Sequence, residues 1–286
     1  MEGVERRIMA VILTHNAPES LDRCLQAIAA QTVPPEAVLV VDNASRPPVT
    51  PESLDVVAPA TRELVRSDVN TGPAGGYHEG LARFRDSGYL HAWVLDDDMR
   101  PNPWCLERLW AVASKEPETS FVFPVSRETG GDYGIWHSWC GFLVSARIVR
   151  EVGLPMKELF WWAEDTEYLQ WRIPEAGYPR QVVDGALVEH DAIRQGDGVP
   201  LWKYYYEARN MLYVSMHLKR RLGHYPRNLS KLAARAIWRE KHGRLRRLGV
   251  IARGLFDGAF GRLGIRYPVE PMRERATPPG DGRPEG

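Results

Sequence analysis

Cysteine is scarce in this sequence. The 286 residues contain three, Cys24, Cys105 and Cys140, and they are widely separated. An odd number of distant cysteines argues against a disulfide framework and against a zinc site built on paired thiolates. The cysteine content therefore predicts a protein of a reducing compartment, and we expect a cytoplasmic location.

Long apolar stretches are absent as well. The longest uninterrupted apolar run covers residues 8–13, whereas a membrane-spanning helix needs ~20 apolar residues. The N-terminus also lacks the long apolar core of a signal peptide. We therefore predict that the chain is not an integral membrane protein.

The composition is that of a globular protein, but its charge is unevenly distributed. Hydrophobic residues make up 44% and charged residues 26%, which excludes disordered, collagen-like and coiled-coil classes. Residues 215–266 hold 14 Lys and Arg against two acids, while residues 1–214 hold 20 against 31. The sequence therefore predicts an acidic body, 1–214, a basic helical segment, 215–266, and a Pro- and Gly-rich disordered tail, 267–286.

Strand and helix patterns alternate along the first half of the chain. Apolar runs predict strands at 8–13, 38–41, 62–66 and 91–95, with helices between them, one of them at 74–85. Such alternation predicts an α/β fold with a largely parallel sheet. The later patterns predict a helix at 166–176, two short strands at 181–184 and 186–188, and a helix at 202–218.

Polar residues follow three of the predicted strands at their carboxyl ends. They are Thr14-His15-Asn16, Asp42-Asn43 and Asp96-Asp97-Asp98. In open parallel sheets, ligands bind beyond the carboxyl ends of the strands. The sequence therefore predicts that all three clusters share one site.

The aspartate triplet is a candidate cation site. If strand alternation continues through it, Asp96 and Asp98 point the same way and lie close together. Carboxylates that close repel one another, and a hard cation with oxygen ligands, Mg²⁺ or Mn²⁺, relieves the conflict while bridging to phosphate oxygens. The alternative is a solvated turn whose acids cap the next helix.

The segment Asn70-Thr71-Gly72-Pro73-Ala74-Gly75-Gly76 opens a predicted helix. Glycines there let a ligand approach the backbone, and the helix N-terminus offers N–H groups to a phosphate or ribose. The spacing matches neither a Walker loop nor a dinucleotide fingerprint, so a tight turn explains it equally well.

Two tryptophans, Trp161 and Trp162, stand beside the acids Glu164, Asp165 and Glu167. The aromatic pair can stack on a sugar ring, and one acid can accept a proton from a hydroxyl group. Helix capping alone also accounts for the acids.

His190 closes a predicted strand shortly before the glycine-containing segment 196–198, which we expect to be a mobile loop. A single histidine is more often structural than a metal ligand. If the fold brings His190 beside Asp98, its ring supplies a nitrogen ligand to the cation.

Taken in order, these residues resemble a family-2 glycosyltransferase of the GT-A fold, most of all the rhamnosyl- and galactofuranosyltransferase branch. The resemblance covers about 8–214 and implies a Rossmann-like, mostly parallel sheet flanked by helices, with a C-terminal helical extension. Its motifs are Thr14-His15-Asn16, Val41-Asp42-Asn43-Ala44-Ser45, Asn70-x-Gly-x-Ala-Gly-Gly-Tyr77, Trp93-x-x-Asp-Asp-Asp98, Gly141-Phe142-Leu143-Val144-Ser145, Glu164-Asp165-x-Glu167, His190, and Tyr205-Tyr206-x-x-Arg209-Asn210.

The resemblance also implies residue roles. Asp98 and His190, together with Asp96, would hold Mg²⁺ or Mn²⁺. Asp165 would be the general base, with Glu164 or Glu167 as the alternative. Trp161 and Trp162 would contact the acceptor. The residues implied for the nucleotide sugar are Thr14, Asn16, Asp42, Asn70, Gly72, Gly75, Gly76, Asp96, Asp97 and Gly141, of which Thr14 and Asp42 would contact the base and Asp96 the ribose.

The implied reaction is an inverting, single-displacement sugar transfer. A galactofuranose- or rhamnose-like sugar would leave a UDP- or dTDP-linked donor for a hydroxyl of a glycan, a lipid-linked glycan or a small aglycone. Two rivals remain: a sugar nucleotidyltransferase, although no basic Gly-rich loop follows the first strand, and a catalytically silent nucleotide- or sugar-binding protein on the same scaffold.

The basic segment 215–266 has three interpretations. It forms a solvated face on helices packed against the body, docks on an anionic membrane, or binds nucleic acid. The resemblance favours the membrane over nucleic acid, which would place the protein peripherally at the inner face of the cell membrane.

Overall fold

The computed structural model describes residues 5–57, 61–128, 131–135, 138–191, 199–219, 225–239 and 243–269. The loop predicted at 196–198 and positions 270–286 of the predicted tail lie outside these residues. The described residues form an α/β fold with helices on both faces of one central sheet.

Eight strands form the sheet, in the order β3-β2-β1-β4-β7-β6-β8-β5. They are β1 (Ile8–Thr14), β2 (Ala37–Asp42), β3 (Thr61–Arg66), β4 (His91–Asp96), β5 (Met99–Pro101), β6 (Phe121–Glu128), β7 (Cys140–Ser145) and β8 (Gln181–His190). The pairs among β1 to β4 are parallel, as predicted. Of the four remaining pairs, β6–β8 is parallel and three are antiparallel, so four of the seven pairs are parallel, and the antiparallel pairs all involve β5 or β7.

The helices connect and flank these strands. They are α1 (Pro18–Ala29), α2 (Gly72–Asp86), α3 (Cys105–Ala113), α4 (Ala146–Val152), α5 (Ile173–Glu175), α6 (Leu201–Tyr213), α7 (Tyr225–Ala234) and α8 (Arg244–Ala259). The helix predicted at 166–176 opens as a π-helical segment, Thr166–Arg172, which runs directly into α5. Two further π-helical segments, Val214–Leu218 and Arg235–Arg239, follow α6 and α7.

Strand β1 contributes to two hydrophobic cores because its successive side chains face opposite sides of the sheet. Ala10 and Ile12 belong to the core beneath α1 and α3, whereas Val11 and Leu13 belong to the core beneath α2 and α4. A strand buried on both faces needs a continuous apolar run, and residues 8–13 supply one.

The two short strands predicted at 181–184 and 186–188 are a single strand, β8. Its pairing with β6 shifts register between Pro124 and Val125, so that Val183 and Leu187 oppose neighbouring residues. Gly185 lies within the extra residues and has a φ of 83°. A bulge with a left-handed glycine interrupts the alternation of side chains but not the strand, which is why the sequence pattern looked like two strands.

The last helix of the basic segment packs closely on α6. A Cβ atom at Gly254 would lie 2.5 Å from the Tyr205 carbonyl oxygen, and one at Gly258 would lie 2.4 Å from that of Arg209. The two glycines therefore let α8 approach the α6 backbone. The boundary at 214 stays a prediction. Within the described part of the chain, no helix has the length and apolar character needed to cross a bilayer.

Candidate active site

The carboxyl ends of β1, β2 and β4 lie side by side. In the parallel pairing, Thr14 is level with Asp42 and Leu13 with Asp96. The Thr14 hydroxyl donates a hydrogen bond to Asp97 Oδ2 at 2.6 Å. The prediction that these polar clusters meet at one edge of the sheet is therefore confirmed.

The aspartate triplet does not continue the strand. β4 ends at Asp96, and Asp97 and Asp98 form a turn, so the alternation assumed for the three side chains was wrong. The Tyr77 hydroxyl donates to Asp96 Oδ1. Burial and the charge of Asp98 raise the pKa of Asp96, and burial raises the pKa of Asp97 to about 7. The triplet is thus a partly buried cluster in which protons compete with any cation.

Asp98 and His190 lie next to each other where β5 pairs with β8. Strand β5, directly after the triplet, pairs antiparallel with the end of β8, and this register places Met99 opposite His190. His190 Nε2 lies 3.0 Å from Asp98 Oδ2. Burial lowers the pKa of His190, but the hydrogen bond from the ring and the charge of Asp98 outweigh it and raise the pKa overall.

The Asp98–His190 pair fits a divalent cation. Asp98 Oδ1 is buried, and no described group donates a hydrogen bond to it. Imidazole and carboxylate together suit Mn²⁺, while carboxylate and phosphate oxygens suit Mg²⁺. However, no three His, Cys, Asp or Glu side chains of the described residues converge around one point, and Asp96 faces Tyr77 instead. The third predicted ligand is therefore not gathered with the other two, and the three-residue metal site stays a prediction.

Asp42 is held firmly by its surroundings. Its side chain is fully buried and accepts from the backbone N–H groups of Ser45 at 2.8 Å and Val49 at 3.2 Å. Arg66, which stands opposite Asp42 in the β2–β3 register, adds an ion pair. A carboxylate has about four acceptor sites, so three of them are occupied within the protein, and contact with a nucleobase stays a prediction.

A cleft opens beside Asp42 at the end of β1. It has a volume of about 160 Å³, and its walls include Thr14, Pro18, Leu21, Ser45, Pro47 and Val49. Asn16 links the two walls: its backbone N–H donates to Ser45 Oγ at 3.0 Å, and its Oδ1 accepts from the Arg46 N–H at 2.7 Å. The cleft has room for a flat ring next to the predicted nucleotide residues.

The segment 70–76 packs tightly at the same edge. Gly72 has a φ of 69°, and a Cβ atom there would lie 2.0 Å from the Phe160 carbonyl oxygen. At Gly76 it would lie 2.2 Å from Leu13 Cδ1, and at Gly75 it would lie 2.4 Å from Thr71 Cβ. Protein packing therefore accounts for these glycines, and their contact with a ligand stays a prediction.

Asn43 ties this segment to the end of β2. Its Oδ1 accepts from the Thr71 N–H at 2.9 Å, and its Nδ2 donates to the Gly72 carbonyl at 3.1 Å and to Asn70 Oδ1 at 3.2 Å. Asn70 Oδ1 also accepts from the Gly72 N–H at 2.8 Å. Two of the predicted binding segments are thus joined by side-chain amides.

Gly141 lies inside the sheet on β7. It is buried, and its carbonyl accepts from the Trp93 indole N–H at 3.0 Å. Its φ of 94° explains the glycine. Its observed contacts are structural, and its assignment to the nucleotide sugar stays a prediction.

The three acids after the tryptophan pair differ in their surroundings. Glu167 accepts two hydrogen bonds from Arg172, at 2.9 and 2.6 Å. Glu164 is buried, and burial raises its pKa to about 8, so it is mostly protonated at neutral pH. Asp165 is partly exposed, and its Oδ1 accepts from the Thr166 N–H at 2.6 Å. Asp165 is therefore the best placed of the three to meet a substrate as a carboxylate.

A strained turn precedes these acids. Phe160, Trp162 and Ala163 have φ values of 64°, 74° and 69°, each of which costs roughly 1–2 kcal/mol in a residue with a side chain. The turn also touches the segment 70–76, because the Ala74 N–H donates to the Phe160 carbonyl at 3.2 Å. This turn, residues 159–163, therefore lies between the two halves of the site.

The tryptophan pair forms part of an aromatic group. The Trp161 and Trp162 ring centres are 5.1 Å apart, and Trp202 packs edge-on against Trp161 at 5.0 Å. Lys203 Nζ lies 5.2 Å from the Trp161 ring. Trp162 remains 39% exposed, so an aromatic face is open to a ligand.

The acidic and aromatic region adjoins the aspartate triplet. Tyr77, which donates to Asp96, stacks on Trp139 with ring centres 4.0 Å apart, and Trp139 stacks in turn on Tyr168 of the π-helical segment at 6.3 Å. That the predicted base and the predicted metal residues act in one site stays a prediction.

Several residues that shape this site were given no individual role from the sequence. Asn43, Tyr77, Arg209 and Asn210 stood in the quoted motifs without an assigned contact, and Arg66 stood only in a predicted strand. Parallel register could have found Arg66, since it follows from aligning the ends of β2 and β3. The others depend on contacts between distant segments, which no local pattern reveals.

The sheet order, the helices on both faces and the acidic residues at the carboxyl edge define a GT-A glycosyltransferase fold. S. aureus TarS in complex with UDP superposes with a TM-score of 0.52 at 14% identity, over 89% of this chain and 72% of that one. GalNAc-T7 with UDP, GalNAc and Mn²⁺ superposes with a TM-score of 0.54 at 15% identity, over 79% and 55%.

The chain belongs to glycosyl transferase family 2, whose model matches residues 9–195. Within the family it is similar to galactofuranosyltransferases. The galactofuranosyltransferase GlfT1 of Mycobacterium tuberculosis is 26% identical over 201 residues, 60% of this chain and 66% of the relative, which is just under two thirds of its length. GlfT1 of Mycolicibacterium smegmatis is 34% identical over 94 residues, 33% of this chain and 30% of the relative.

Proposed function

We propose that this protein transfers a sugar from a nucleoside diphosphate donor to an acceptor hydroxyl, with inversion at the anomeric carbon. The observation that carries the proposal is the meeting of Asp98 and His190, 92 positions apart in sequence, at the carboxyl edge of the sheet. Family membership and the similarity to galactofuranosyltransferases support sugar transfer and favour a galactofuranose-like donor over a rhamnose-like one.

Asp98 and His190 would hold Mg²⁺ or Mn²⁺ in the loaded enzyme. The chemistry that such a cation supplies when bound is neutralisation of the charge developing on the departing diphosphate. The buried, unpartnered Asp98 Oδ1 supports this assignment. Asp96 precedes the pair by two residues and accepts a hydrogen bond from the Tyr77 hydroxyl, and it would contact the ribose.

The remaining residues bind and orient the two substrates. The cleft beside Asp42 and Asn16 would take the nucleobase, with Thr14 at its rim. The exposed face of Trp162 would pack on the apolar face of a sugar acceptor. Asp165 would accept the proton of the attacking hydroxyl as the new bond forms, on the side of the sugar opposite the leaving diphosphate.

Release of free nucleoside diphosphate tests the proposal. The protein is incubated with UDP-galactofuranose or dTDP-rhamnose, Mn²⁺ and a panel of sugars that offer acceptor hydroxyls, and free UDP or dTDP is measured over time. We expect release from one of the donors, and EDTA should stop it. If the donors raise the melting temperature but no nucleoside diphosphate is released, the protein binds nucleotide sugars without catalysing their transfer.

We also propose that the basic segment 215–266 docks on an anionic membrane surface, which suits a lipid-linked acceptor. Trp238 is 77% exposed and Leu245 is 86% exposed, and both stand among arginines in this segment. Exposed apolar side chains within a basic region are the combination that binds anionic lipid interfaces.

Liposome flotation checks this docking. The protein should float with phosphatidylglycerol vesicles at low salt and much less with phosphatidylcholine vesicles or at high salt. Replacing Trp238 and Leu245 together by alanine should reduce flotation several-fold, whereas Val69→Ala, at a residue 62% exposed in the body, should not. If the protein floats equally well with both kinds of vesicle and the double substitution does not reduce flotation, docking through this segment is contradicted.

A further inference from the structure

We propose that Arg209 and Asn210 are positioning residues that hold the 159–163 turn, and through it Asp165 and the tryptophan pair, in the geometry needed for transfer. The inference rests on the proposed function. It adds a role for two residues of α6 whose side chains bind the backbone of the turn.

Asn210 binds the turn directly. Its side chain is fully buried. Its Nδ2 lies 2.8 Å from the Leu159 carbonyl oxygen, 2.8 Å from that of Trp161 and 2.7 Å from that of Trp162. An amide has only two N–H groups, so at least one is shared between two carbonyls. A single side chain thus satisfies three backbone groups within four residues.

Arg209 fixes the orientation of that amide. Its Nε donates to Asn210 Oδ1 at 2.8 Å, which turns the Nδ2 end toward the turn. The guanidinium is also fully buried, and it donates to the carbonyls of Leu159 at 2.7 Å and Gly264 at 2.5 Å. Tyr206 faces the guanidinium at 4.7 Å. The buried positive charge is therefore used to bind backbone carbonyls and to aim one amide.

The turn needs such support because of its conformation. Phe160 is the central residue of a three-residue turn closed by a 2.7 Å bond from the Trp161 N–H to the Leu159 carbonyl. With Phe160, Trp162 and Ala163 all in the left-handed region, the backbone would relax to ordinary φ values unless its surroundings prevented it. The carbonyls that Asn210 binds are those flanking these residues, so the amide stabilises the strained path itself.

The path of the turn sets the position of the base. Asp165 follows Ala163 by two residues, and the Ala163 carbonyl accepts from the Glu167 N–H at 2.8 Å, which closes an α-helical turn directly before the π-helical segment. The Phe160 carbonyl accepts from the Ala74 N–H. A turn that relaxed would therefore shift Asp165 relative to the donor segment, without altering the Asp98–His190 pair.

Three variants test the positioning role. Asn210→Ala removes the amide, and Asn210→Asp keeps its shape and its bond from Arg209 but has no N–H for the carbonyls. The matched control is Glu207→Gln, which lies on the same helix as Asn210 and weakens the ion pair of the buried Glu207 carboxylate with Arg235 of the segment Arg235–Arg239. Among the described residues, the hydrogen bond of the Glu207 carboxylate is to Arg235 and not to the turn. Turnover, the Kd for UDP with Mn²⁺, and hydrogen–deuterium exchange of peptides covering 159–167 are measured for each.

We expect both Asn210 variants to lose ~10- to 100-fold in kcat, because small misplacements of a reacting group have effects of that size. Their Kd for UDP should stay within about twofold of the wild type, and exchange in 159–167 should accelerate. Glu207→Gln should keep both the kcat of the wild type and the exchange pattern of the turn, even if its melting temperature falls as much as that of the Asn210 variants.

Two results would overturn the role: an equal loss of kcat in Glu207→Gln, or exchange in the turn that Asn210→Ala and Asn210→Asp leave unchanged. If the wild type releases no nucleotide from any donor, the proposed function fails, and the exchange data then decide by themselves whether Asn210 holds the turn. The two failures are therefore distinguishable.

Discussion

Asp165→Asn should lower the rate of sugar transfer by ~10²- to 10⁴-fold, the usual contribution of a general base, while the Kd for UDP with Mn²⁺ stays near that of the wild type. The amide keeps the size of the side chain and its bond to the Thr166 N–H but cannot accept the proton of the acceptor. Steady-state kinetics and calorimetric titration with UDP measure the two effects separately.

Glu164 and Glu167 provide the comparison for this result. Glu164 is mostly protonated at neutral pH, so Glu164→Gln replaces one neutral group by another and should change turnover far less. Glu167→Gln weakens the bidentate contact with Arg172 and should mainly lower stability. If either variant loses more turnover than Asp165→Asn, Asp165 is not the base.

The pH dependence should agree with this assignment. Burial raises the pKa of Asp165 above its ordinary value. Because a general base works in its deprotonated form, turnover should fall as the pH drops through this raised pKa. The acid limb of the kcat/KM profile should therefore lie above the range of an exposed aspartate, and Asp165→Asn should abolish that limb in the residual activity.

Asp98→Asn should reduce turnover by at least ~100-fold, because the charge stabilisation supplied by a catalytic metal ion is worth several kcal/mol. Unlike Asp165→Asn, it should also weaken the binding of UDP in the presence of Mn²⁺. The asparagine can still bond to His190 but carries no charge, so the fold should change little. Titration of UDP with Mn²⁺ and then with EDTA measures the metal-dependent part of the affinity.

The titration of UDP in the presence of EDTA is the control for the effect of the metal ion. Without a metal ion, Asp98→Asn should bind UDP at least as tightly as the wild type, because the Asp98 carboxylate then repels the diphosphate. If Mn²⁺ strengthens UDP binding to the variant as much as to the wild type, Asp98 does not hold the cation. The Asp98–His190 contact would then be structural.

The sequence was informative where function follows a regular strand. The apolar run of β1 and the residues Thr14, Asp42 and Asp96 after three parallel strands were enough to place one edge of the site. Parallel pairing makes neighbouring strand ends coincide, so position in sequence determines position in space.

The sequence was less informative where the backbone departs from regular geometry. The turn at Asp97 invalidated the alternation argument, and Gly185 made one strand look like two. The burial that separates Glu164 from Asp165 depends on what packs over them. The contacts of Asn210 with a turn 48 to 51 positions away follow only from the complete fold.

The register between β5 and β8 limits how this chain can vary in length. Met99 stands opposite His190 in a pairing of only three residues, and side chains alternate between the two faces of a strand. Adding or deleting one residue between the Gly185 bulge and His190 would turn the imidazole to the other side of the sheet, away from Asp98. Insertions that preserve the Asp98–His190 contact are therefore confined to the surface connections. The number of residues between the Gly185 bulge and His190 has to stay the same.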